Sequence, residues 1–192
     1  MALREKEVVG KSPSVSGRLG VFFRTYRSAI LVAGVVLTAV AVAVAIKEGL
    51  RRNCDQTASA LFSHARTVED YRAILAKVPG SYLTFAAWMN IGNLLVAQDK
   101  SEKTEEAAQQ FERALQCSKP GFQRASALCA LGMISAQRKE ISKACDYFGR
   151  AVASEPRGVK ASEALTLWGR CLEVSGDKAG AKSKFREATL VK

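Results

Sequence analysis

A single histidine, His64, occurs in 192 residues. That scarcity excludes a multi-histidine metal site and any chemistry needing two imidazoles. His64 lies two residues from Arg66 and reads as a surface or packing residue of a short helix. Neither a phosphate-cradling glycine loop nor a G-x-S-x-G nucleophile elbow occurs. No C-x-x-C pair exists among Cys54, Cys117, Cys129, Cys145 and Cys171, so a structural zinc site is not expected. An odd, scattered set of five does not form a disulfide framework. Most of these cysteines read as small buried hydrophobes. Cys54 follows Arg51-Arg52-Asn53, which is not the small, apolar context of a lipid-attachment site. Glu105 and Glu106 are placed at the start of a helix, where carboxylates favour the positive dipole end. The expectation is a chain with no catalytic site, no cofactor and no metal.

Strand signals are nearly absent: no sustained alternating β-branched run follows residue 52. Alanine, leucine, lysine and glutamate dominate there, which favours helix. The net charge is +11. Residues 1 to 52 hold nine Lys or Arg against three acidic residues, so more than half of the excess lies in that segment. Anionic lipids attract such a charge, and no zinc-finger, helix-turn-helix or RNA-binding pattern accompanies it. Nucleic acid is therefore not an expected partner.

Residues 29 to 46, AILVAGVVLTAVAVAVAI, contain no Asp, Glu, His, Lys or Arg. An apolar run of about 18 residues or more is the length of a membrane-crossing helix. Such a helix satisfies its own backbone hydrogen bonds in lipid, and with no ionisable group it offers no ion path. A cleaved signal peptide is the rival, because Ala43-Val44-Ala45 matches a small-residue cleavage pattern. Against cleavage, that site lies inside the run, and Lys47, Arg51 and Arg52 follow as an anchor flank would. A buried core helix is a further alternative, though core helices this uniformly apolar are uncommon.

The N-terminal flank carries Arg4, Lys6, Lys11, Arg18, Arg24 and Arg27. The positive-inside rule then places residues 1 to 27 in the cytoplasm and residues 53 to 192 outside it. Phe22, Phe23 and Tyr26 suit the headgroup region. The expected division is a disordered basic tail over 1–27, a transmembrane helix with its basic flank over 28–52, a degenerate helical repeat over 53–82, and a repeat solenoid over 83–192.

Self-similarity carries that last assignment. Leu128, Leu131 and Gly132 are followed twelve residues after the glycine by Ala144, then Phe148, Ala151 and Pro156. Leu165, Trp168 and Gly169 are followed at the same interval by Ala181, Phe185 and Ala188. Trp88, Ile91 and Gly92 lead to Ala107, Phe111 and Ala114 after fifteen residues, and the extra three fall in the polar stretch 99–104. Antiparallel helices approach closely where small residues meet, so Gly132 and Ala144 are expected in contact, with Phe148 filling the gap toward the next unit. Pro156 ends its helix. A weaker unit precedes these, with helices near 54–65 and 67–77 and with Tyr71, Ile74 and Pro79 in its second half.

This order of residues resembles the tetratricopeptide repeat over roughly residues 84 to 190. The resemblance implies an all-α fold: one N-terminal transmembrane helix and a solenoid of three to four helix pairs. The anchor, the basic N-terminus and the Val78-Pro79-Gly80-Ser81 junction together resemble the YfgM family. That likeness implies a single-span ancillary subunit of the bacterial SecYEG translocon in the inner membrane, with extracytoplasmic repeats. The expected function is a membrane-anchored protein-interaction adaptor, chaperone-like, for unfolded or helical segments or other envelope proteins. Open alternatives are a scaffold for division, lipid sorting or signalling with cytoplasmic repeats, and a secreted binding protein if the run is cleaved.

Two binding faces are expected. Helical spacing from the glycines puts Met89, Asn93, Val96, Cys129, Met133, Gln137, Thr166, Arg170 and Glu173 on a concave face lined by the first helix of each pair. Asn90 and Asn93 alone do not make a clamp for acidic tails, and methionine suits varied apolar shapes. At the other site, no helix follows the one bearing Phe185, leaving Leu190 and Val191 near an uncapped end that would dock a partner or a second copy of the chain.

Overall fold

The structure is a computed structural model that describes residues 15–98 and 101–191. Among the described residues it has eight helices and no strand. They are α1 (Val15–His64), α2 (Val68–Lys77), α3 (Thr84–Val96), α4 (Ser101–Cys117), α5 (Phe122–Gln137), α6 (Ile141–Ser154), α7 (Val159–Val174) and α8 (Lys178–Leu190). The chain divides into two units, residues 1–50 and 51–192.

In the first unit, α1 already includes residues 15–27, expected in a disordered tail; residues 1–14 of that tail lie outside the described residues. No proline interrupts the chain between Pro13 and Pro79, so nothing stops the helix from propagating outward from its apolar centre. Leu31, Val36, Leu37, Val40 and Ile46 are all more than half exposed. Among the described residues one helix, α1, is long and apolar enough by length and composition to cross a membrane, and none of its apolar window is buried. A core helix of a soluble domain would bury that surface.

The second unit begins with the last turns of α1. The short helix expected near 54–65 has no start of its own, because α1 runs on to His64. Ala58 and Ala65 are buried there, and Phe62 meets the Tyr71 ring edge-on at 5.2 Å between centroids. A capping box then starts α2. The Thr67 hydroxyl accepts from the Asp70 N–H, while the Asp70 carboxylate accepts from the N–H groups of Arg66 and Thr67.

From α3 on, the unit alternates first helices (α3, α5, α7) with second helices (α4, α6, α8). Each pair packs internally, α4 packs on α5, α6 on α7, and α5 also touches α7. The three glycines explain the pairing. A Cβ on Gly92 would come within 2.5 Å of Phe111, one on Gly132 within 2.6 Å of Phe148, and one on Gly169 within 2.6 Å of Phe185. The glycine of each first helix thus meets the phenylalanine ring of its own second helix. The nearest atoms to the missing Cβ of Gly132 are those of the Phe148 ring, so the glycine's role is to admit that ring. Phe148 also reaches forward, sharing a cluster with Cys171 and Trp168 of the next pair.

The three extra residues of the first full repeat lengthen α4 rather than its preceding turn. It has 17 residues against 14 in α6. Glu105 and Glu106 consequently lie in the second turn and not at the helix start. Glu106 pairs with Arg72 of α2 at 2.6 Å, and Glu105 pairs with Arg138 beyond α5. Lys103, aided by Arg72, holds the Glu106 carboxyl below its usual range. Turns close on Gly80, Gly121 and Gly176, each at positive φ. Glu155 and Pro156 follow α6, where the ring excludes a further helical turn.

Candidate functional site

Each first helix buries one face and presents another. Ile91, Gly92 and Leu95 of α3 are buried while Asn93 is exposed; Leu131 and Ile134 of α5 are buried while Met133 is 42% exposed. Gln137, Arg170 and Glu173 are also exposed. Met89 and Val96 are half-buried and pack against the first core cluster. Thr166 is half-buried and donates its hydroxyl to the Ser162 carbonyl at 2.9 Å, so it is committed to its own helix.

Cys129 does not belong to this face. It is 1% exposed and packed with Ala125, Leu128, Ala151 and Ala164. Helical spacing from Gly132 points it outward, but α7 lies against α5 and covers it. Burial pushes its thiol up to about 12. Burial also raises the thiols of Cys171, Cys145 and Cys117. Cys54 and Cys117 are exposed, and none of the five is in a disulfide. Among the described residues no group of three or more His, Cys, Asp or Glu is placed to hold a metal ion.

The terminal face is more divided than expected. Phe185 is half-buried because its ring sits on Gly169. Leu190 is 78% exposed and Val191 half-buried just past the helix. A recess of about 480 Å³ opens there, lined by Phe185 and Ala181 with Lys178, Lys182, Arg186 and Glu173, but not by Leu190 or Val191. Those three cations were not singled out from the sequence, although their spacing of four residues signals one helix face.

With the geometry in place, similar solved structures set the fold in context. PilF of Pseudomonas aeruginosa superposes with a TM-score of 0.52 and 22% identity over 65% of this chain and 51% of its own length. A tetratricopeptide-repeat protein from Parabacteroides merdae gives 0.52 and 19% over 71% of this chain and 51% of its own length. The fold is that of tetratricopeptide-repeat proteins. YrrB, described as a protein of this repeat class with an unusual peptide-binding site, gives 0.50 and 25% over 76% of this chain and 71% of its own. The chain thus spans about half the length of the first two structures. No protein-family profile matches it. No curated relative matches it either.

Proposed function

We propose that this chain is a membrane-tethered adaptor that holds a protein segment on the exposed face of α3, α5 and α7. The observation that carries the reading is the pairing of two features in one chain: a helix whose apolar window is entirely exposed, and a repeat fold built for protein contact. Lipid is the medium in which that exposed apolar surface costs nothing. Asn93, Met133, Gln137 and Arg170 supply a mixed, adaptable surface. The peptide-binding description of YrrB supports a segment as the ligand. A binding role, not catalysis, follows from this reading.

The charge bias of the N-terminal flank supports a cytoplasmic N-terminus and extracytoplasmic repeats. With the YfgM-like architecture, this favours an ancillary, chaperone-like part of the bacterial secretion machinery at the inner membrane. The test is purification of the full chain from membranes in mild detergent, with partners identified by mass spectrometry. Translocon subunits or extracytoplasmic folding factors at near-stoichiometric amounts support the proposal. Recovery of division or signalling proteins, with repeats that resist added protease until the inner membrane is opened, overturns the secretion role. A mature chain shortened by about 45 residues on a gel overturns the anchor, since cleavage would follow the Ala43-Val44-Ala45 site.

A further inference from the structure

We infer that α8 carries a second docking site, adjoining the face of α3, α5 and α7 at Glu173, for an acidic amphipathic helix of another protein. The argument starts from repeat register. Ala144, Phe148 and Ala151 of α6 correspond to Ala181, Phe185 and Ala188 of α8. The α6 positions that receive the next first helix are Ile141, Cys145, Gly149 and Val152. Ile141 packs against the cluster of Phe148 and Cys171 that Trp168 also covers, a Cβ on Gly149 would sit 3.5 Å from the Trp168 ring, and Val152 packs on the cluster containing Ala164. The corresponding α8 positions are Lys178, Lys182, Arg186 and Thr189.

An apolar helix-receiving row has thus become a cationic one. Lys178, Lys182 and Arg186 are exposed, and no ion pair engages any of them among the described residues. Lys184 differs: it pairs with Glu187 at 2.9 Å and lies 4.4 Å from the centre of the Trp168 ring. Between the three free cations, Ala181 and Phe185 floor the terminal recess, and Glu173 stands at its edge. A helix seated here as α7 seats on α6 would place apolar side chains on Phe185 and carboxylates against the cations. Two α8 rows brought together would set like charges face to face, so the acidic occupant is taken from another protein.

The test uses the full chain in detergent micelles and two fluorescent 18-residue helical peptides. One carries leucines flanked by glutamates at four-residue spacing; the other has lysine at every glutamate position. Anisotropy is read in about 50 mM salt and again in about 500 mM, where charge contacts are screened. The expected result is saturable binding of the acidic peptide only, weakened about tenfold by high salt. Lys178→Glu with Lys182→Glu and Arg186→Glu should abolish it, and Lys182→Gln alone should weaken it severalfold with unchanged circular dichroism. Equal binding of both peptides, no saturation below about 1 mM, or indifference to the charge reversals overturns the inference. Partners lost through Met133 or Asn93 substitutions leave this readout untouched, so failure of the α8 site and failure of the adaptor reading are distinguishable.

Discussion

Replacing Gly132 by alanine should destabilise the repeat unit, although alanine is the better helix former. The new Cβ would lie 2.6 Å from Phe148 Cε1 and 2.9 Å from Cδ1 and Cζ. Phe148 is 1% exposed, so its ring has nowhere to swing without displacing Cys171 or Trp168. Overpacking costs about 1–3 kcal/mol, and a buried ring that cannot swing away puts this contact in the upper part of that range, about 2–3 kcal/mol. The helix-propensity gain of alanine over glycine returns about 1 kcal/mol. The net expectation is a loss of about 1–2 kcal/mol. Gly149→Ala is the internal control, because its Cβ would meet Trp168 at 3.5 Å, an ordinary contact. There the propensity gain stands alone, and the variant should be stabler by up to about 1 kcal/mol. Thermal unfolding followed by circular dichroism at 222 nm should separate the two melting points by about 4–12 °C. Phe148→Leu placed on top of Gly132→Ala should cost less than it does in the parent, since the smaller side chain relieves the clash. A Gly132→Ala chain as stable as the parent, or two glycine variants of equal sign, would refute the ring-on-glycine account of repeat pairing.

Other outcomes follow from the same coordinates. Native alkylation at pH 8 should modify Cys54 and Cys117 first and leave Cys129 untouched until the chain unfolds, because its buried thiol ionises only near 12; peptide mapping reads the order. Acid should loosen α2 selectively. The Arg66 and Thr67 N–H groups hold the Asp70 carboxyl below its usual value, so its contribution is complete above the normal carboxylate range and is lost as pH falls through the lowered folded value. Protection factors of α2, corrected for the intrinsic pH dependence of amide exchange, should therefore fall below about pH 4, and Asp70→Asn should remove that fall. Breaking the Arg72–Glu106 pair with Arg72→Ala should cost no more than about 1 kcal/mol, since the arginine is half exposed and salt already screens it; a melting-point drop above about 5 °C would contradict this.

The candidate sites show where sequence periodicity stops. Asn93, Met133 and Gln137 are surface residues, as spacing from the glycines implies, because helix geometry alone decides which side of a first helix faces away from its partner. Cys129 shares that spacing and is buried. Its position depends on how closely α7 approaches α5, which one helix cannot encode. The pairs joining Arg72 to Glu106 and Arg138 to Glu105 span 34 and 33 residues, about one repeat period, and join elements whose proximity comes from stacking.

The sequence by itself determined the helical class, the apolar stretch without a charge, the repeat and its three glycine positions, because each depends on local backbone preference or on periodicity along one chain. Tertiary structure decided what those positions touch. Gly132 admits the Phe148 ring, and α4 absorbs the extra residues as helix. Cys129 disappears between two first helices. Lys178, Lys182 and Arg186 become a single face around a recess only once the α6–α7 contact shows what that face receives in the preceding repeat. The physical reason is that burial and charge pairing are properties of neighbouring helices, and the neighbours are set by packing.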